Sequence, residues 1–325
     1  VTRSIRIAAV ALAAAALMVA CTGGASTAPT GSPGTASAAP LSGTVTIDGS
    51  STVLPISEAV AEEFQRSNSG VQVPVGNSGT GGGFKKFCAG ETDINDASRP
   101  IKVEDEGEGV ACAANGVEYV ELQVAIDGLS VVVNPANEWA SCLTLDELET
   151  IYGPESPETL LWSDVRTGFP SERVTRYMPG ADSGTFDYFT EVVNGEVDAS
   201  TTFATQSEND NTLVTGVAGD RFGIAYLGFA YAVENADKIT AIGVDGGSGC
   251  VVPTAASIND GSYAPLSRPL FIYPDVGKAR DREELAAFVD FYLANASALS
   301  AEVGYVALPE AQLQAEIDEW TAAIG

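Results

Sequence analysis

The chain has 325 residues, 16 of them basic and 44 acidic, with no histidine and a formal net charge of −28. That balance argues against nucleic acid as a partner, and the missing histidine removes the usual base of a serine hydrolase and a common zinc ligand. The acidity reads first as a solvated, aggregation-resistant surface, so any anion held by the protein must be gripped by local donors against a repulsive global field.

At the start of the chain, Arg3 and Arg6 precede an apolar stretch from Ile7 to Ala20, and Met18-Val-Ala-Cys21 resembles a bacterial lipobox with Met where Leu is usual. Residues 1–20 therefore read as a lipoprotein signal peptide and not a membrane span. Cys21 is then the lipidated N-terminus of an exported chain, anchored to the outer face of the cytoplasmic membrane; a plain secreted protein with a free cysteine is the alternative. Cleavage removes two arginines and takes the charge from −28 to −30. Residues 21–43 are Gly, Ser, Thr, Pro and Ala almost throughout, a composition that reads as a disordered tether. Four cysteines follow: Cys88, Cys112, Cys142 and Cys250. An even count in an exported chain favours disulfides and permits three pairings. Cys88–Cys112 with Cys142–Cys250 is the expected one, because the first two flank one local excursion. Without Cys-x-x-Cys or histidine, neither metal nor cofactor is expected.

Val45 to Ile47 reads as a strand, and Ile56, Val60, Ala61 and Phe64 recur at helical spacing. Between them lies Asp48-Gly-Ser-Ser-Thr52. Val71 to Val75 alternates like a strand, and Asn77-Ser-Gly-Thr-Gly-Gly-Gly83 leads into a helix carrying Phe84, Phe87 and Cys88. Tyr119 to Ala125 and Leu129 to Val133 are strand-like, and Thr144-Leu-Asp-Glu147 has the form of a capping box. Val174 to Met178 precedes a third run, Asp182-Ser-Gly-Thr185, after which Phe186, Phe189, Val192 and Val193 mark a helix. Gly223 to Tyr226 and Pro269 to Tyr273 suggest strands, Leu285 to Leu293 an amphipathic helix, and Leu308 to Ile324 a closing helix. Alternating strands and helices argue for open α/β sheets, whose ligands gather at the carboxyl ends of strands. The three runs occupy such ends. A helix start offers unpaired N–H groups and a positive dipole end, and Ser and Thr add hydroxyls, so each run suits an anion.

Plainer roles exist for many of these residues. Ser51, Thr52 and Thr80 suit N-caps; Arg176, Lys85 and Lys86 suit surface charges; Asp93 and Asp96 suit turns, with Asp96 the fallback acceptor; Phe186, Tyr188 and Phe189 suit packing. Arg99 equally suits a structural ion pair.

Taken in order, Ile47-Asp-Gly-Ser-Ser-Thr-Val-Leu-Pro55, Ser78-Gly-Thr-Gly-Gly-Gly-Phe-Lys-Lys86, Asp93-Ile-Asn-Asp-Ala-Ser-Arg-Pro-Ile101, Asp182-Ser-Gly-Thr-Phe186 and Gly223-Ile-Ala-Tyr-Leu-Gly-Phe-Ala-Tyr231 resemble the PstS family, the phosphate-binding proteins of bacterial ABC importers. The resemblance covers most of residues 44–325. It implies a two-lobed, type II periplasmic-binding-protein fold of two open mixed sheets flanked by helices. Residues 44–129 with 240–325 would form one lobe and 130–239 the other, with crossovers near Ala125 to Val133 and Tyr231 to Thr240. It implies a monomer that captures inorganic phosphate and docks on a membrane permease. Ser51, Thr52 and the backbone of Val53 would hold one face of the anion, Ser78 and Thr80 would add donors, and Ser183, the backbone of Gly184 and Thr185 would close from the other lobe. Many family members have Asp in the segment matching Ala97-Ser98-Arg99 and Arg four residues before the Ser of the third run; here Arg99 and Pro179 stand there. The charges are therefore expected to have exchanged lobes, with Arg99 beside Ser98 as the cation and Asp182 as the acceptor of the phosphate proton.

The rivals are a receptor for sulfate, molybdate or tungstate, an adhesion or scaffold lipoprotein, and an enzyme. Asp182-Ser-Gly-Thr185 matches the aspartic-protease signature, but that chemistry needs two carboxylates sharing a proton and only one copy occurs. No enzyme is expected.

Overall fold

The computed structural model describes residues 40–104, 107–181 and 183–325. The signal-peptide, lipidation and tether expectations on residues 1–39, Cys21 included, and the acceptor role of Asp182 lie outside the described residues.

The first α/β unit shows how the local sequence dictates the shape. The strand Ile47–Gly49 ends at a glycine with φ +146°, where a Cβ would lie 2.1 Å from the Asp96 carbonyl oxygen, so only glycine lets the strands approach. The chain then turns through Ser50 to Val53 into the helix Leu54–Ser67, with Pro55 in the first turn, where a missing N–H leaves no hydrogen bond unmade. That helix buries Ile56, Val60, Ala61 and Phe64. The helix Gly79–Cys88 repeats the arrangement and buries Phe84 and Phe87. Gly83 is pressed against the first strand: a Cβ there would meet Asn95 Oδ1 at 2.2 Å and Gly49 Cα at 2.5 Å.

Among the described residues, seven strands form a continuous mixed sheet in the order Ile47–Gly49, Ile94–Ala97, Ser267–Pro274, Leu122–Val133, Gly223–Gly228, Thr175–Pro179 and Thr205–Ser207, with Thr240–Ala241 pairing on Leu122–Val133 as well. Leu122–Val133 joins the two halves. Its first half runs antiparallel to Ser267–Pro274, with Gly128 opposite Ser267, and its second half antiparallel to Gly223–Gly228, with Leu129 opposite Gly228. The two expected sheets thus share one strand, where the sequence shows two segments broken by Asp127-Gly128.

Each half of the sheet has its own core. One gathers Ile47, Ile56, Val60, Phe64, Leu122, Leu270, Phe288 and Trp320. The other gathers Leu129, Val131, Tyr152, Trp162, Phe189 and Tyr226, and extends to Ile242, Val244, Ile258, Tyr263 and Leu266. The stretch 240–266 therefore packs on the second core and not the first. The return crossing lies at the start of Ser267–Pro274, not near Tyr231 to Thr240. A third passage was not foreseen: Val306 bridges Ile126 through paired backbone bonds of 2.9 Å and joins the second core before the helix Glu310–Ile324 returns to the first.

Both expected disulfides are present, Cys88–Cys112 and Cys142–Cys250. Thr144 and Glu147 form the capping box on Leu145–Tyr152, and Arg166 pairs with Glu147. No described helix is long and apolar enough to cross a membrane.

Candidate functional site

Between the two cores lies a cleft of about 360 Å3 lined by Ser50, Ser51, Thr52, Gly79, Thr80, Gly81, Ser98, Arg99, Asp187, Glu191, Val197 and Arg268. The first two runs meet there. Ser50 closes the turn, with its N–H donating to Asp96 O at 3.0 Å and its Oγ accepting from Thr52 N–H at 3.2 Å. Thr80 Oγ1 lies 3.2 Å from Ser98 Oγ and accepts from the Ser98 N–H at 3.1 Å, tying the second run to the end of Ile94–Ala97. None of Ser51, Thr52 and Thr80 is a helix cap; those positions fall to Val53 and Ser78, neither of which makes a side-chain cap bond. The Ser51, Thr52 and Thr80 hydroxyls are thereby kept at the cleft.

One expected side-chain donor stands elsewhere. The Ser78 hydroxyl donates to Asp48 Oδ1 and does not line the cleft. Burial pushes the Asp48 carboxyl up, but hydrogen bonds from Lys86 and Ser78 and the Lys86 charge pull harder, so the net shift is downward. Val53 has a fully buried side chain behind the run. Lys86 is thus no free surface charge, pairing with Asp48 at 2.6 Å.

The third run reaches the first across the cleft. Ser183 caps the helix Gly184–Val193, its Oγ accepting from Thr185 N–H at 3.3 Å. A Cβ on Gly184 would sit 3.4 Å from Thr52 Cα and Oγ1. From that helix the cleft lining takes Asp187 and Glu191 from the following turns, not Ser183, Gly184 or Thr185.

The described charges add a second guanidinium to the expected one. Arg99 lines the cleft, but its Nη2 donates to Glu108 Oε1 at 2.7 Å and its Nη1 to Pro100 O at 3.0 Å, so a structural carboxylate shares its charge. A second guanidinium lies deeper. Arg268 enters from the strand beside the crossing, donates from Nη2 to Thr52 Oγ1 at 2.7 Å and from Nε to Asp127 Oδ2 at 3.3 Å, and stacks 3.7 Å from the Tyr188 ring centroid. Its Nη1 is 3.8 Å from Glu191 Oε2, and its side chain is 14% exposed, leaving it accessible from the cleft. Asp127 is buried, and burial raises its pKa despite Arg268. The Asp187 pKa is raised by burial first and then by the charges of Asp198 and Glu191, against the pull of Arg268 and a hydrogen bond with Ser51. The cleft therefore offers hydroxyls, two guanidinium groups and a carboxylate, Asp187, made a stronger proton acceptor by its raised pKa.

Beneath it, Asp96 is fully buried with neither oxygen hydrogen-bonded in good geometry. Burial and the Asp48 charge push its pKa up to about 8, with the Ser57 hydroxyl opposing. It sits in the strand and not in a turn, and is not among the residues lining the cleft.

Residues 34–296 match the family model of the PBP superfamily domain. Protein SphX of Synechocystis sp. is 49% identical over 267 residues, covering 82% of this chain and 79% of its own. The phosphate-binding protein PstS of Staphylococcus saprophyticus is 37% identical over 313 residues, covering 95% and 92%. The chain belongs to the PBP superfamily, and within it to the PstS family. Among solved structures, a possible phosphate binding protein from Planctomyces limnophilus superposes on this PstS-family chain with a TM-score of 0.83 at 46% identity, over 88% of this chain and all of that one.

Proposed function

We propose that this PstS-family protein captures one inorganic phosphate ion in the cleft and delivers it to the membrane permease of an ABC importer, without turnover. The supporting observation is the convergence of Ser51, Thr52, Thr80 and Ser98 with Arg268, Arg99 and Asp187 on a single space between two cores. PstS relatives carry the name phosphate-binding protein. Arg268, bonded to Thr52 and more buried than Arg99, supplies the inner cationic contact, and Arg99 supplies one at the rim; each also faces carboxylates, Asp127 and Glu191 for the first and Glu108 for the second. Ser183, Gly184 and Thr185, with the backbone of Val53, complete the grip as the lobes close about the three passages. Asp187 accepts the proton that phosphate retains near neutral pH and sulfate lacks, so sulfate would set two unpaired negative groups face to face. Asp182, just before the N-cap Ser183, is the alternative acceptor. The chain acts as an exported monomer tethered through lipidated Cys21, and two disulfides suit such a location.

Equilibrium dialysis with labelled phosphate against sulfate tests this. At limiting phosphate, binding in the inter-lobe cleft of up to one equivalent per chain, with sulfate a poor competitor there, is expected; competition by sulfate on equal terms for that equivalent refutes the phosphate reading in favour of a general oxyanion receptor. Asp187→Asn is expected to erode the discrimination and Asp182→Asn to leave it; the reverse result assigns the acceptor to Asp182. Closure is read as a smaller scattering radius on saturation, and an unchanged radius refutes it.

A further inference from the structure

The second half of the sheet carries a buried guanidinium that has no counter-ion among the described residues. Arg176, expected at the surface, is only 2% exposed on Thr175–Pro179. Its Nη2 donates to Pro157 O at 2.6 Å and its Nη1 lies 3.4 Å from Thr201 Oγ1, both neutral acceptors, while its Nε has no partner. Among the described residues it makes no ion pair. Burial lowers its pKa, and the like charge of Arg173 adds to that. An unpaired buried charge is costly, and none of the described acidic residues pairs with this arginine.

Arg176 and Arg173 line a second cleft of about 410 Å3, together with Thr175, Thr202, Thr205 and Phe203. It shares no lining residue with the first cleft. Thr175 and Arg176 lie at the amino end of a strand whose carboxyl end leads to the third run, so the two clefts belong to opposite ends of that strand. Arg176 forms the floor and Arg173 the exposed rim, where its Nη2 holds the Glu158 carbonyl oxygen at 3.1 Å. Glu158 is the one acidic residue of the lining among the described residues.

We propose that this outer cleft is a second oxyanion site, filled by a small tetrahedral anion that supplies the charge Arg176 lacks. Its donors are two guanidinium groups and three threonine hydroxyls. No buried carboxylate faces them to demand a proton from the ligand. The site therefore accepts sulfate as readily as phosphate, in contrast to the inter-lobe cleft.

The full chain, first given one equivalent of phosphate, is titrated with sulfate by calorimetry at low ionic strength. One equivalent of sulfate is expected to bind. Arg173→Gln, at an exposed position, is expected to weaken it by about ten-fold or more while one-to-one phosphate binding is unchanged. Arg176→Lys, which keeps the charge but loses the planar fork, is expected to weaken it as well. Absence of sulfate binding to the parent chain, or sulfate binding that Arg173→Gln leaves unaltered, overturns the proposal.

Discussion

Replacing Asp96 by Asn isolates the effect of a carboxyl group buried beneath the cleft. Its pKa is about 8 in the folded chain against 3.8 for the free side chain. Between those values the folded protein keeps a proton that the unfolded chain has released, so this group penalises folding more as pH rises: not at all below the lower value, and fully above the higher one. Asparagine is neutral throughout. The stability of Asp96→Asn relative to the parent should therefore rise by about 1.4 kcal/mol per pH unit across that window, to an upper bound of roughly 6 kcal/mol, and then level off. Asp93 and Asp48, whose pKa values are lowered, lose their contribution as pH falls, but they are common to both chains and cancel in the difference. Urea unfolding of both proteins from pH 4 to pH 9 gives the curve. A difference independent of pH would refute the reasoning, because an altered hydrogen bond or packing defect gives an offset and no slope.

Gly83→Ala forces a methyl group onto Gly49 Cα and Asn95 Oδ1, at 2.5 Å and 2.2 Å; since backbone cannot yield like a flexible side chain, a loss of about 1–3 kcal/mol is expected in the denaturant midpoint. Arg268→Gln removes the charge held against Thr52 and Asp127 and is expected to weaken phosphate binding by roughly 10–100-fold by calorimetry; unchanged affinity would return the cationic role to Arg99. Replacing Cys142 and Cys250 together by serine opens a link spanning 108 residues; a loss of about 4–5 kcal/mol is expected in reversible thermal unfolding. Thr144→Ala removes the hydroxyl of the capping box and is expected to cost about 1 kcal/mol by the same measurement.

The three hydroxyl and glycine runs were legible because helix starts and strand ends leave local marks: turn residues, the onset of a 3.6-residue period, and small residues where backbones touch. The capping box at Thr144 and the pairing of the nearby cysteines were legible for the same reason. Arg268 was not. It acquires its role from Thr52 and Asp127, distant in sequence, and it lies just before the apolar run that reads as a strand. Asp127 interrupts a hydrophobic segment and so resembles a break between two strands; its buried pairing with Arg268 lets the strand continue. Arg176 shares its strand face with the buried Val174 and Met178, but a lone arginine in a short strand reads as a surface charge; the two segments carrying Pro157 and Thr201 cover it. Asp187 was masked by Phe186, Tyr188 and Phe189, whose spacing signals packing; those three are indeed buried, and Tyr188 supplies the face on which Arg268 rests. The return crossing was misplaced for a related reason, since nothing local distinguishes strand Gly243–Asp245 of one core from a strand of the other.

The chain's path through the two cores also orders their assembly. Apart from Val306 and Leu308, the second core is drawn from one uninterrupted stretch ending at Leu266, whereas the first must unite Ala125 and everything before it with Leu270 and the helices beyond. A chain emerging from its amino end can assemble all of the second core except Val306 and Leu308 while the first still lacks its central strand, whose partners are separated by the whole intervening segment. The first core, carrying Ser51, Thr52 and Thr80, is then the last to close, and Arg268 arrives with the strand that closes it. A chain stopped short of Ser267–Pro274 lacks Arg268, and with it the full lining of the anion cleft.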